Sequence, residues 1–251
     1  MPPSTADARP GRVALVTGAG GGLGRACAER LAADGTAIAL VGRDVDALES
    51  AADAVRASGA QAVVAVADVR DRDACRQAVE TAVATLGRLD VVVNAAGVYP
   101  RRPVLDMSAD DWHYVLDVNV LGTYFMMIEA IPHMRNAGGG RIVNVASIDG
   151  VKAHPGNAHY AASKAAAISI TKSVALEVAG DGIVVNAVAP GPLASETAKA
   201  TDWYAPMVAG LPTGRPIELA EVADLVAYLA SPTNVSIVGE HIVVSAGAVI
   251  V

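Results

Sequence analysis

The chain is poor in several features that would otherwise narrow its function. Among its 251 residues are only two cysteines, Cys27 and Cys75, each inside an alanine-rich stretch with no Cys or His at ligand spacing. That argues against a disulfide framework and a zinc site, and leaves both cysteines as small buried hydrophobes. Basic charge is also short, with 19 Lys and Arg against 26 Asp and Glu and a net charge of −7. Without an electrostatic footprint for phosphate backbones or anionic lipid, neither nucleic acid nor a membrane surface is an expected partner. No run of about 18 uninterrupted apolar residues occurs, so no membrane-spanning helix is predicted. Residues 1–11 hold three prolines and no apolar h-region, which reads as a disordered N-terminal tail rather than a signal peptide. A cytoplasmic location is the expectation.

What is present is a large apolar fraction, 53% of residues against 18% charged, enough to bury a substantial core. Short apolar runs of the buried-strand type recur at 13–16, 37–41, 62–66, 91–93, 142–145, 183–188 and 242–244. Stretches with helical spacing lie between them at 23–33, 45–57, 72–86, 159–178 and 219–230. The alternation predicts an α/β fold, a doubly wound Rossmann-type parallel sheet of about seven strands with helices on both faces. No Pro/Ser-rich linker, charge block or fixed-period repeat divides the chain, so 12–251 is expected to form one domain. The segment 190–216 is rich in Pro, Gly, Ala and Thr and carries Trp203, Tyr204 and Met207. A lid over 193–215 is predicted there.

The first strand runs straight into Thr17-Gly-Ala-Gly-Gly-Gly-Leu-Gly24 and then a helix. Such a turn offers backbone N–H groups and a positive helix end to a pyrophosphate. Glycines suit it because a Cβ would block the close approach. Gly18, Gly20, Gly21, Gly22 and Leu23 are the candidate contacts, against the alternative of a merely flexible turn. The second strand ends in Val41-Gly42-Arg43. Gly42 leaves empty the acidic place that would hold the adenosine ribose hydroxyls, while Arg43 offers a planar guanidinium to a 2′-phosphate. NADP(H) is therefore the expected cofactor. The alternative is NAD, with Asp44 reaching the ribose and Arg43 a solvated turn residue.

Further on, a strand ends at Ser147, and thirteen residues later Tyr160-Ala-Ala-Ser-Lys164 opens a helix. The Tyr and Lys are four apart and share a face. A phenol with a pKa near 10 is a poor acid or base at neutral pH, and a neighbouring ammonium favours the phenolate. Lys164 is thus expected to lower the Tyr160 pKa. Alone, the pair also reads as an ordinary surface helix pair.

Together these residues resemble the short-chain dehydrogenase/reductase family over nearly the whole chain, from about residue 12 to residue 247. Thr17 to Gly24 resembles the family's cofactor turn, Asp68-Val69 its adenine contact, and Asn94-Ala-Ala-Gly97 its fourth-strand Asn-Asn-Ala-Gly. Asn119, Ser147, Tyr160 and Lys164 match the catalytic tetrad, and Pro190-Gly191 the loop beside the nicotinamide. The resemblance implies that Ser147 orients and polarises a carbonyl while Tyr160 delivers the proton as hydride arrives. It implies that Lys164 holds the nicotinamide ribose and that Asn119 anchors a water relaying protons to Lys164. Implied cofactor contacts are the glycine-turn residues, Arg43, Asp68, Val69, Asn94, Ala96, Gly97, Tyr160, Lys164, Pro190, Gly191, Leu193 and Ser195. Ser195 stands where a Thr commonly follows the Pro-Gly. No metal is implied. Departures are Ala95 for the second Asn, Val244-Ser-Ala-Gly247 for Val-Asp-Gly-Gly, and Val185-Asn186 without the preceding Arg. The resemblance also implies a homotetramer or homodimer, with the apolar residues 248–251 suited to such an interface.

The substrate pocket is expected from Ile148, Asp149, His154 and Asn157, from residues 98–102, and from the lid. His154 and His159 read as polar lining of a loop before the helix in preference to a metal pair. Arg101 and Arg102 are candidates to meet an acidic substrate or carrier, or are simply solvated. Overall similarity is to the 3-oxoacyl-carrier-protein-reductase-like branch. The leading expectation is an NADPH-dependent carbonyl reductase acting on a ketone, such as a 3-oxoacyl thioester or a biosynthetic-pathway ketone. The alternatives are an NAD(P)-dependent alcohol dehydrogenase working in the oxidative direction and a non-catalytic dinucleotide-sensing protein. The intact tetrad argues against the last.

Overall fold

Strand β1 (Val13–Thr17) is apolar almost end to end and wholly buried, the pattern of a central strand in a sheet covered on both faces. In the computed structural model, which describes residues 11–250, β1 lies within seven parallel strands ordered β3-β2-β1-β4-β5-β6-β7. The others are β2 (Ala37–Gly42), β3 (Ala62–Val66), β4 (Val91–Asn94), β5 (Gly140–Val145), β6 (Ile183–Pro190) and β7 (His241–Val244). The expected sheet is present. The N-terminal tail expected over 1–11 lies, apart from Gly11, outside the described residues.

Between the strands run α1 (Gly22–Ala33), α2 (Val45–Ala57), α3 (Arg72–Leu86), α4 (Ala109–Leu116), α5 (Gly122–Asn136), α6 (Ala158–Val178), the short α7 (Glu196–Lys199) and α8 (Tyr204–Ala209), and α9 (Leu219–Ala230). Period-two alternation along β1 sends Ala14 and Val16 into one core and Val13 and Leu15 into the other. Leu31, Leu48 and Val226 from α1, α2 and α9 fill the first, and Val79, Met126 and Val178 from α3, α5 and α6 the second. Local chemistry sets the helix ends. The Asp44 carboxylate caps α2 by accepting from the Ala47 N–H at 3.0 Å. Asp71 caps α3 in the same way, and that helix stops where Gly87 turns left-handed, at φ 88°.

The helical stretches named from the sequence do not include 109–136, where α4 and α5 form one continuous rod joined by a π-helical turn over Asp117–Leu121. Gly122 and Pro132, the latter inside α5, interrupt the cues that mark a helix. By length and composition alone this rod is apolar enough to cross a membrane, but half of the qualifying stretch is buried inside the protein. Its apolar residues serve the core beneath α3 and α6.

The chain leaves β1 toward β2 on one side, whereas β4 pairs on the other. That switch point opens a crevice at the carboxyl ends of the strands. Thr17, the last residue of β1, ties the crevice together: its hydroxyl oxygen accepts from the backbone N–H groups of both Ala95 and Ala96 at 3.1 Å.

Candidate active site

Two cavities adjoin at this edge of the sheet. The first is built by the glycine turn. Gly18 is left-handed at φ +67°, and a Cβ there would fall 2.9 Å from the Ala96 backbone. A Cβ on Gly24 would lie 2.2 Å from the Gly18 carbonyl oxygen. Backbone therefore packs directly on backbone, leaving a groove of about 310 Å³ lined by Gly18, Gly20, Gly21, Arg43, Asp68, Val69, Ala96 and Gly97. Gly22 and Leu23 open α1 beside it. A cradle without Cβ atoms at a helix start fits a pyrophosphate, so the residues present suit a dinucleotide.

At the far end of the groove the Arg43 side chain is 60% exposed and only loosely paired, 3.9 Å from Asp68. Asp68 is instead gripped by Arg70 at 2.7 Å, which holds its carboxyl below the usual carboxylate range. Asp44 borders the groove while capping α2. Asn94, expected at the cofactor, does not line the groove. It donates through Nδ2 to Asn144 Oδ1 at 2.9 Å, and Asn144 donates onward to Thr171 Oγ1, so this buried chain links β4, β5 and α6. Asn119 projects from the π turn, where its side chain clamps Val98 by accepting from the N–H and donating to the carbonyl, each at 2.9 Å. Its Nδ2 also donates to Ser163 Oγ.

The second cavity, about 130 Å³, lies over the ends of β5 and β6. The segments expected from sequence converge on it: Tyr99 and Arg101 from the loop after β4, Ser147, Ile148 and Asp149 after β5, Asn157 and Tyr160 at the start of α6, and Gly191, Leu193, Ser195, Trp203 and Met207 from the segment after β6. Pro190 is buried at the strand end. Ser195 caps α7 by accepting from the Ala198 N–H. The Arg101 guanidinium stacks 4.7 Å above the Trp203 ring and so bridges the cavity mouth.

Ser147 and Tyr160 line the same cavity, and the Ser147 hydroxyl acts on the Tyr160 phenol in the direction that favours the phenolate. Lys164 sits 5.7 Å from the Tyr160 ring centroid and donates to the Val145 carbonyl at 2.7 Å. Its Nζ is also 3.5 Å from where a Cβ on Gly97 would lie, so the amine stands between the two cavities. The expected lowering of the Tyr160 pKa by Lys164 is corrected here. Burial dominates and pushes the phenol up, while it brings Lys164 down from 10.5 to about 8. A buried ammonium at that distance loses more in hydration than it returns to its neighbour.

The two histidines are not a loop pair. His154 Nδ1 lies 2.5 Å from Asp149 Oδ1, whereas His159 is in the first turn of α6, buried edge-on to Trp112 and accepting the Tyr160 N–H through Nδ1. Among the described residues no cluster of three or more His, Cys, Asp or Glu is placed to hold a metal. Sequence reading misses the Thr17 tie and the pairing of Asp149 with Asn157. The position of Thr17 at the last strand residue before the glycines is a signal for the first, while the second has no local signature.

A family profile described as short chain dehydrogenase matches residues 12–204. The 3-oxoacyl-[acyl-carrier-protein] reductase FabG of Staphylococcus aureus (strain Mu50 / ATCC 700699) is 35% identical over 237 residues, covering 93% of this chain and 96% of that protein. Short-chain reductase protein NovJ of Streptomyces niveus is 37% identical over 244 residues, covering 94% and 93%. Among solved structures, NAD+-bound xylitol dehydrogenase superposes with a TM-score of 0.89 at 34% identity, covering 93% of this chain and 97% of that one.

Proposed function

Because the chain belongs to the short-chain dehydrogenase family and is an oxidoreductase of CH–OH and C=O groups, we propose that it is an NADPH-dependent carbonyl reductase that reduces a ketone. The observation that carries this reading is the Ser147–Tyr160 pair at the cavity floor, with Lys164 reaching from it to the edge of the glycine groove. Ser147 and Tyr160 hold the ketone oxygen from two sides and polarise it. Burial keeps the Tyr160 phenol protonated at neutral pH, the form that a reduction consumes. A dinucleotide held by Gly18, Gly20 and Gly21 in the groove would supply the hydride that the carbonyl carbon takes up. Tyr160 gives its proton to the carbonyl oxygen, completing a secondary alcohol. Lys164, brought down to about 8, exchanges protons near neutrality and resupplies Tyr160, and its Nζ is the group that would hold the ribose nearest the nicotinamide. Asn119 fixes Val98 beneath the same corner.

Arg43 supports the phosphorylated dinucleotide. It is loosely held at the groove, while the acidic alternative, Asp44, would have to leave the start of α2 to reach a ribose. The 3-oxoacyl thioester named for the staphylococcal relative is one substrate class. Arg101 at the mouth offers a cation to such a carrier, whereas Arg102 is already paired with Asp111 at 3.3 Å. The NAD+-bound xylitol dehydrogenase favours a second reading, oxidation of an alcohol with NAD. A homotetramer or homodimer completes the proposal, supported by exposed apolar side chains along the rod and α6, among them Leu121, Tyr124 and Leu176.

Fluorescence titration with NADPH and with NADH, followed by addition of ketones and 3-oxoacyl thioesters, tests this function. Tighter NADPH binding with ketone-dependent oxidation is expected. A preference for NADH would transfer the assignment to the oxidative dehydrogenase.

A further inference from the structure

Asn157 occupies the position just before α6, where an asparagine ordinarily accepts a hydrogen bond from the helix's first turn. Here it makes no such bond, and the Tyr160 N–H is taken by His159 Nδ1 instead. The Asn157 side chain turns to Asp149, donating through Nδ2 to Asp149 Oδ2, while His154 holds Asp149 Oδ1. Because a carboxylate only accepts, this contact fixes which end of the amide faces away. Asn157 Oδ1 is left without a partner in a residue only 2% exposed, and both Asn157 and Asp149 line the ketone cavity. A helix cap is forgone and a buried acceptor is left bare, a combination that native structures rarely keep without a ligand.

We propose that this corner reads a hydroxyl group on the carbon next to the substrate carbonyl, so that the ketone this enzyme takes is an α-hydroxyketone. The inference rests on the carbonyl-reductase reading and assigns its substrate class. The positions set the neighbourhood. Asn157 is the residue at which the chain enters α6, three residues before Tyr160, and both line the same cavity. Asp149 follows Ser147 by two and donates its N–H to Ser147 Oγ at 3.1 Å. An acceptor in the same cavity as the two groups that hold the carbonyl oxygen meets a hydroxyl on the adjacent carbon. The substrate hydroxyl donates to Asn157 Oδ1, while the Asp149 carboxylate accepts from Asn157 Nδ2 and keeps the amide oriented.

The test compares isosteric pairs in which only the hydroxyl changes to methyl, 2-hydroxyacetophenone against propiophenone and hydroxyacetone against butanone, with NADPH oxidation as the readout. The wild-type protein is expected to favour the hydroxyketone in kcat/KM by about tenfold or more in each pair. In Asn157→Leu the ratio is expected to fall to about twofold or less, a comparison within one variant from which any general damage cancels. Equal kcat/KM for both members in the wild type, or an unchanged ratio in Asn157→Leu, overturns the inference and leaves the reductase reading standing. NADPH oxidation with neither member of either pair overturns the inference, and the reductase reading falls with it only where 3-oxoacyl thioesters are left unreduced as well. Equal kcat/KM in the wild type overturns the inference even if the variant does not fold.

Discussion

Lys164 carries a stability cost that can be worked from its surroundings. The side chain is buried with a single neutral acceptor, the Val145 carbonyl at 2.7 Å, and burial brings its pKa from 10.5 to about 8. At about 1.4 kcal/mol per pKa unit, the charged amine costs the fold about 3 kcal/mol. Lys164→Met removes the charge but strands the Val145 carbonyl, returning about 1 kcal/mol of that. In the absence of dinucleotide, the variant is therefore expected to be about 2 kcal/mol more stable near neutral pH, or about 4–8 °C in Tm. The pH dependence fixes the cause. Below pH 8 the amine is charged in both folded and unfolded chains, and the full cost is present. Between 8 and 10.5 the folded chain has released the proton that the unfolded chain still binds, so wild-type stability climbs with pH. The gap between the two proteins should close across that window. Urea unfolding of both proteins at several pH values measures it. Equal stabilities near neutrality, or a gap that does not vary with pH, would refute the reasoning. The same variant is expected to lose ketone turnover, so the amine is retained for chemistry at the expense of stability.

Arg43→Ala should weaken NADPH binding by about tenfold to a hundredfold, the worth of a charged hydrogen bond, and leave NADH unchanged by fluorescence titration. Unchanged NADPH affinity would remove the phosphate assignment. Gly24→Ala places a Cβ 2.2 Å from the Gly18 carbonyl oxygen, so the turn must open. Loss of dinucleotide binding and a lowered Tm are expected, and calorimetry with and without NADPH separates the two effects. Asn119→Ala strips both backbone groups of Val98 and Ser163 Oγ of a partner. A loss of about 3 kcal/mol is expected, seen as a fall of about 6–12 °C in Tm. Arg101→Met breaks the stack on Trp203, and a KM raised by a fewfold with little change in kcat would show that the contact holds the cavity mouth closed.

The strands are legible because a parallel sheet buried on both faces demands near-continuous apolar runs, as in β1 and, Asn186 apart, β6. Phosphate-turn glycines were legible for a related reason: contacts such as Gly24 on Gly18 leave no room for any other residue. The spacing of Ser147, Tyr160 and Lys164 survives in sequence because one strand end and one helix face carry all three. The rod over 109–136 does not announce itself, since Gly122, Pro132 and the π turn that aims Asn119 inward are features that propensity counts against a helix. Nor does spacing report solvation. The ammonium four residues from Tyr160 suggests a lowered phenol pKa, and only the packed site shows burial outweighing it. The Asp149–Asn157 contact joins a strand end to a helix start across eight residues, and no local pattern marks it.

The central claim is that this site reduces a ketone with Tyr160 as the proton donor. Its most direct test is Tyr160→Phe, assayed beside the wild type for NADPH binding by fluorescence and for ketone-dependent NADPH oxidation. Removing one hydroxyl leaves the glycine groove and Lys164 in place. Binding within about twofold of wild type, with turnover reduced by a factor of a hundred or more (about 3 kcal/mol of barrier), is the expected result. A Phe variant that reduces the same ketone at close to the wild-type rate would contradict the mechanism.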